Sequence, residues 1–213
     1  MVSLSALNTV AKFWDEASTG FDEEHNTEDL ALWAVELEKE IGLNGNGRIL
    51  DVGTGTGFLA LLLARLGYEV VGVDVAEKML EQGRRKALDA GLDVEFIHGL
   101  CEELPFPDCS FDAVVNCRVM WTLTEPENAV SEWRRVIRPG GKLISYMRMM
   151  SISDKDTEGY YGKNIELPLR CGGRDEYVEV YKAAGFKRII TAELPEEMSC
   201  ADMPGWTSFT GIK

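Results

Sequence analysis

The chain is 213 residues long and carries 36 acidic side chains against 22 basic ones, for a net charge of −14. That length suits one domain with a full core, and the acidity argues against nucleic acid or an anionic membrane as a partner. No apolar run is long enough to span a bilayer and the opening residues lack the basic and apolar regions of a secretion signal, so a cytoplasmic location is expected.

In chain order, residues 5–18 set Leu7, Val10, Ala11 and Trp14 at helical spacing, which predicts a short amphipathic helix. Gly20 and the polar stretch from Asp22 to Asn26 read as a loop. Asn26 or Thr27 is placed to cap a helix that buries Leu30, Trp33, Ala34, Leu37 and Ile41 and stops at Gly42. From Arg48 onward strands and helices alternate, the signature of a parallel sheet. Strands are expected at 48–52, 69–73, 93–97, 111–116 and 142–148, with helices at 57–66, 76–90 and 126–137. Pro139-Gly140-Gly141 reads as a break before the fifth strand. A less regular stretch, 150–173, precedes a helix at 174–184, and strands near 187–193 and 206–212 finish the chain as a hairpin edge.

The densest chemical signal is Asp51-Val52-Gly53-Thr54-Gly55-Thr56-Gly57, between a hydrophobic strand and a helix. Alternating glycines let a backbone turn sharply and let a ligand meet main-chain amides with no Cβ in the way. The following strand ends on Asp74, where a carboxylate can accept both hydroxyls of a ribose. A dinucleotide fingerprint would require glycine at position 58, which is Phe58. The site therefore reads as a nucleoside site of another kind.

The pattern Asp51-x-Gly53-x-Gly55-x-Gly57 resembles that of class I S-adenosylmethionine-dependent methyltransferases. Two further stretches resemble later blocks of the same family, in the same order: Ser110 to Val115 and Trp133 to Leu143. Leu104-Pro105-Phe106-Pro107-Asp108 is similar to its small-molecule branch. The resemblance covers roughly residues 48 to 145. It implies one doubly wound Rossmann-like α/β sheet of about seven strands, mostly parallel with an antiparallel C-terminal hairpin strand, plus N-terminal lid helices. Within a single domain it implies a lid over 1–47, a cofactor-binding core over 48–149, and a substrate-side insertion with closing strands over 150–213.

The implied cofactor is S-adenosylmethionine, with S-adenosylhomocysteine as product. Gly53, Thr54, Gly55 and Gly57 would meet its amino-acid end, Asp51 would hold the loop and reach the amine, and Asp74 would take the ribose. Val75 and Met79 would pack on the base, with ordinary core packing the alternative for Met79. Where related enzymes often carry Gly-Asp-Ala, this chain has Gly99-Leu100-Cys101. Leu100 cannot accept from the adenine amine, so a backbone group or Glu102 would substitute. Asn116 and Cys117, after the fourth strand, would line the methionine portion. Cys117 follows asparagine rather than the proline usual before a covalent cysteine.

Substrate-side candidates are Trp14, His25, Trp121, Arg148, Tyr160 and Tyr161, with core packing the alternative for Trp14 and Trp121. His98 ends a strand and reads as structural, leaving His25 as the histidine placed for base work. Five cysteines without a Cys-x-x-Cys pair argue against a zinc site or disulfide framework, and no metal-ligand spacing is visible, so no metal is expected. Arg84-Arg85-Lys86 reads as a solvated cluster late in a helix. The expected activity is methyl transfer to a small-molecule acceptor, with nitrogen, sulfur or activated carbon slightly favoured over oxygen because no strong base stands out. The alternatives are an S-adenosylmethionine-binding protein without catalysis and a methyltransferase acting on protein. The acceptor and the oligomeric state, monomer or homodimer, are left open.

Overall fold

The computed structural model describes residues 4–25, 28–148, 165, 167–170, 172–198 and 205–213. Its elements begin with α1 (Leu4–Ala17), α2 (Phe21–His25) and α3 (Leu30–Ile41). The alternating core follows: β1 (Arg48–Val52), α4 (Phe58–Arg65), β2 (Glu69–Asp74), α5 (Glu77–Ala90), β3 (Val94–His98) and β4 (Phe111–Cys117). Then come α6 (Pro126–Val136), β5 (Ile137–Arg148), α7 (Arg174–Ala183), β6 (Arg188–Glu193) and β7 (Trp206–Ile212).

The strands form one seven-stranded sheet in the order β3-β2-β1-β4-β5-β7-β6. β1 to β5 pair in parallel, while β7 runs antiparallel to both β5 and β6. The order reverses between β1 and β4, and a doubly wound sheet opens its ligand crevice at the carboxyl ends of the strands flanking such a reversal. Two apolar layers enclose the sheet because successive side chains of a strand point to opposite faces. Ile49, Val70, Ala113 and Ile144 pack towards α3 and α4. Their neighbours Leu50, Val71, Val114 and Leu143 pack towards α6 and α7. This two-sided burial explains why these strands read as continuous apolar runs rather than alternating ones.

Three local expectations change. The stretch after Gly20 contains a short helix, α2. Asp29 caps α3, its Oδ1 accepting from the amides of Ala31 at 2.9 Å and Leu32 at 3.2 Å; Asn26 and Thr27 lie outside the described residues. Pro139-Gly140-Gly141 sits inside β5 as an irregularity of register, with Ile137 opposite Phe111 and pairing resuming at Lys142 opposite Ala113. Gly140 has φ +79° and its amide donates to the Lys213 carbonyl, so the extra residues are held rather than loose. Gly42 ends α3 at φ +72°, as expected of a left-handed cap.

Candidate functional site

Gly53, Gly55 and Gly57 all adopt left-handed backbone, with φ of 64°, 55° and 86°. Glycine is required at each on conformational grounds, but the spaces around them differ. A Cβ on Gly53 would lie 2.4 Å from Val119 Cγ2, and one on Gly57 would lie 3.1 Å from the Phe96 ring. A Cβ on Gly55 would meet nothing within 4 Å. Gly53 and Gly57 therefore serve packing, while Gly55 bares its backbone to open space at the head of the crevice.

The two acids of the motif brace this loop. Asp51 is 2% exposed, and its Oδ2 accepts from the Thr54 hydroxyl at 2.7 Å and the Ala60 amide at 3.1 Å. Burial pushes its carboxyl up to about 7, against the pull of those two donors. Asp74, at the tip of β2, accepts from the Ala76 amide on Oδ1 at 2.9 Å and from the Gly55 amide on Oδ2 at 2.8 Å. Its carboxyl is raised by burial, while these amides pull the other way. The Val75 amide also contributes, and with about four acceptor sites on a carboxylate Asp74 keeps capacity for a hydroxyl without breaking the brace. Thr54, expected to touch the ligand, turns its hydroxyl onto Asp51 and is 5% exposed. It pins the loop from behind.

The N-terminal segment closes over this corner through polar contacts to α5 and the loop. Asp15 Oδ1 accepts from the Lys78 amide at 2.9 Å, in the first turn of α5. Gln82 Nε2 donates to the Ser18 carbonyl at 2.6 Å. Asp22 accepts from the Thr56 hydroxyl at 2.6 Å and from Lys86 Nζ at 2.8 Å. Two of the expected solvated cations are thus engaged: Lys86 here, and Arg84 with Glu77 and the Phe96 carbonyl. Trp14 on α1 meets Trp121 edge-on, ring centroids 6.3 Å apart, so these two candidates stand together. The His25 side chain, Tyr160 and Tyr161 lie outside the described positions.

Beyond β2 and β3, Val75 is half-buried, and its carbonyl is 2.9 Å from Nε2 of the exposed His98. Met79 is 2% exposed, in the core. Leu100 is half-buried at an isolated bridge to Glu103. Cys101 is buried in the layer beside α6, and its carbonyl accepts from Trp133 Nε1 at 2.9 Å. Glu102 stays half-buried, and its carboxyl is raised by desolvation.

Asn116, expected beside the methionine portion, is fully buried, and its Nδ2 donates to Ser145 Oγ at 2.8 Å. Ser145 Oγ is 2.7 Å from the Tyr181 hydroxyl, which donates to the Phe209 carbonyl at 3.0 Å. Strand alternation sends Asn116 under the sheet into this polar chain and sends Cys117 the other way. Burial pushes the Cys117 thiol up to about 12, so it is protonated at neutral pH and unsuited to nucleophilic work.

At the carboxyl ends of β4 and β5 a charged cluster takes Arg148 out of solvent. Glu28 Oε1 is shared by Arg118 Nη1 at 3.2 Å and Arg148 Nη2 at 3.3 Å. Glu28 Oε2 accepts from Trp33 Nε1 at 3.0 Å. The side chains of Glu28 and Arg148 are 4% and 7% exposed, whereas Arg118 keeps 21%. Both guanidinium groups lie over the Trp206 ring, Arg148 at 4.5 Å and Arg118 at 5.5 Å. Arg118 also lies 5.5 Å from Phe58, the residue next to Gly57, so the cluster adjoins the glycine loop.

Residues 50–145 match the model of a methyltransferase domain. The chain is 37% identical over 139 residues to a demethylmenaquinone methyltransferase from Clavibacter sepedonicus, covering 63% of this chain and 56% of that protein. It is 48% identical over 99 residues to a demethylmenaquinone methyltransferase from Thermus thermophilus, covering 46% of this chain and 45% of the relative. The fold is shared with the crystal structure of an S-adenosylmethionine-dependent methyltransferase from Aquifex aeolicus at TM-score 0.67 and 23% identity, covering 84% of this chain and 88% of that one. Over its central part the chain is thus similar in sequence to methyltransferases, and it shares their fold. It spans about half the length of the curated relatives it matches.

Reading the sequence by itself misses Glu28 and the lid contacts of Asp15 and Asp22. No spacing rule marks them, because their contacts to Thr56, Lys78 and Arg148 bridge 34 to 120 positions. Arg118 was visible only as the residue after Cys117. Its φ of +63° is what turns it towards Glu28, and that is a property of the folded chain.

Proposed function

We propose that this protein transfers a methyl group from S-adenosylmethionine to a ring-bearing small-molecule acceptor. The observation that carries the reading is the pairing of Asp74 with Gly55: a buried carboxylate with spare acceptor capacity, bonded to an amide whose Cα faces open space. That is a cradle a side chain would fill, and it fits a ribose and the chain beyond it. The first turn of α4 favours the carboxylate of the cofactor's amino-acid end. Asp51, once ionised, faces its amine. Glu102 is the carboxyl nearest in sequence to take the adenine amine that Leu100 cannot.

When bound, S-adenosylmethionine supplies an electrophilic methyl that passes to an acceptor lone pair as the carbon–sulfur bond breaks. The chain's part is to hold the acceptor about 3 Å away and in line. The lid of α1 and α2 excludes water, with Trp14 and Trp121 offering flat faces for a ring. The protonated Cys117 thiol leaves no covalent step on the protein. The names of the curated relatives support a quinone-type ring as the class of acceptor.

The test is a thermal-shift comparison of S-adenosylmethionine, S-adenosylhomocysteine and NAD, followed by assay of S-adenosylhomocysteine release with candidate ring acceptors. The first two should raise the melting midpoint and NAD should not. A midpoint unmoved by S-adenosylhomocysteine would sink the reading.

A further inference from the structure

Among the described residues, the ion pairs of Glu28, Arg118 and Arg148 set two guanidinium groups against one carboxylate. That leaves a net positive charge in a site walled by Trp33 and Trp206, both essentially buried. Buried charges are ordinarily matched one for one, because an unmatched ion loses hydration without recompense. The neighbouring Cys117 thiol does not supply the missing charge, being protonated at neutral pH. Moreover, Arg148 Nη1 is buried and has no hydrogen-bond partner among the described residues. A planar guanidinium with one end on Glu28 and the other end unfilled is a fork prepared for a second oxyanion. The cluster lies at the carboxyl ends of β4 and β5, on the side of the order reversal opposite β2, and adjoins the glycine loop through Phe58.

Resting on the methyltransferase reading above, we propose that the acceptor carries a carboxylate or phosphate group that seats on Arg148 and Arg118 beside Glu28. A carboxylate brings the cluster to neutrality, a phosphate reverses its excess charge, and either can fill Arg148 Nη1. The partly exposed Arg118 is the side from which the anion enters. The site then selects acidic acceptors and leaves the ring to be positioned by the aromatic side chains. A cluster that merely fastened the N-terminal segment to the sheet would show no preference among ligands.

The test titrates benzoate, phenyl phosphate and the neutral isostere benzamide into the protein saturated with S-adenosylhomocysteine, followed by ligand-observed NMR. Benzoate or phenyl phosphate should bind about tenfold or more tighter than benzamide, the equivalent of one charge-assisted hydrogen bond. Which of the two binds better distinguishes carboxylate from phosphate as the recognised group. Arg148→Met should erase the preference and Arg148→Lys should keep part of it. Unchanged S-adenosylhomocysteine affinity in both variants would show that the fold and cofactor site are intact. The proposal is overturned if benzamide binds as well as the anions, if no probe binds, or if the preference survives in Arg148→Met. In each case a normal S-adenosylhomocysteine affinity would leave the methyltransferase reading standing, whereas its loss in the unaltered protein would remove both.

Discussion

The two sides of the crevice are built by different means. On the β1–β2 side, the contacts are made by backbone amides and by acids a few residues along the chain: Asp51 with Thr54 and Ala60, Asp74 with Ala76. On the β4–β5 side, position depends on side chains brought together from Glu28, Arg118 and Arg148, up to 120 residues apart. The first side is rigid and suited to a ligand that never changes. The second hangs on long side chains and an ion cluster assembled from distant parts of the chain.

Several changes would break or sharpen this contrast. The largest effect should come from Asp74→Ala, which removes the acceptor for a ribose hydroxyl together with the brace on Gly55. S-adenosylhomocysteine affinity by calorimetry should fall about hundredfold, since each hydrogen bond to a charged group contributes about 1.5–3 kcal/mol. An unchanged affinity would take Asp74 out of the ribose role.

The glycines should separate next. Gly53→Ala forces a Cβ to within 2.4 Å of Val119 in left-handed backbone, so it should cost about 2–4 kcal/mol of stability and lower the melting midpoint. Gly55→Ala has only the backbone penalty, about 1 kcal/mol, and should stay folded while losing cofactor affinity. Equal loss of stability in the two variants would contradict their division between packing and ligand approach.

Asp51 sets a pH dependence with a definite sign. Its carboxyl lies at about 7 in the folded protein against an ordinary value of 3.8, so the native state holds this proton more tightly than the unfolded chain. The stability it contributes is therefore fully present below 3.8 and is lost as pH rises to about 7. Binding of a cationic amine needs the ionised form, so cofactor affinity should weaken about tenfold per pH unit below about 7. Asp51→Asn should flatten that profile. A profile already flat in the unaltered protein would show that Asp51 does not face the amine.

The smallest effect belongs to the lid. Asp22→Ala removes the part-buried contacts to Thr56 and Lys86 and should speed S-adenosylhomocysteine dissociation about threefold to fivefold in stopped-flow measurements. No change in that rate would mean the lid stays shut without this latch.

Local chemistry explains what could be read from the sequence. The alternation of strands and helices, the edge hairpin of β6 and β7, the glycine turns and the acids of β1 and β2 all follow from patterns within about 20 residues, and the fold agrees with them. Where a one-residue shift matters, the same reading misplaces side chains. Asn116 and Cys117 were both assigned to the crevice, yet alternation along β4 buries Asn116 beneath the sheet against Ser145. The Thr54 hydroxyl donates to Asp51, a contact that glycine spacing alone does not reveal.

The sequence by itself thus determined the glycine turn after β1 and the acid at the tip of β2, because backbone freedom and a strand-end acid are written in neighbouring residues. Only the tertiary structure decided that Glu28 joins Arg118 and Arg148, and that Asp15 and Asp22 fasten the lid. The physical reason is that a charge pair has no periodicity along the chain: its partners are chosen by which strand ends and helix ends the folded sheet brings side by side.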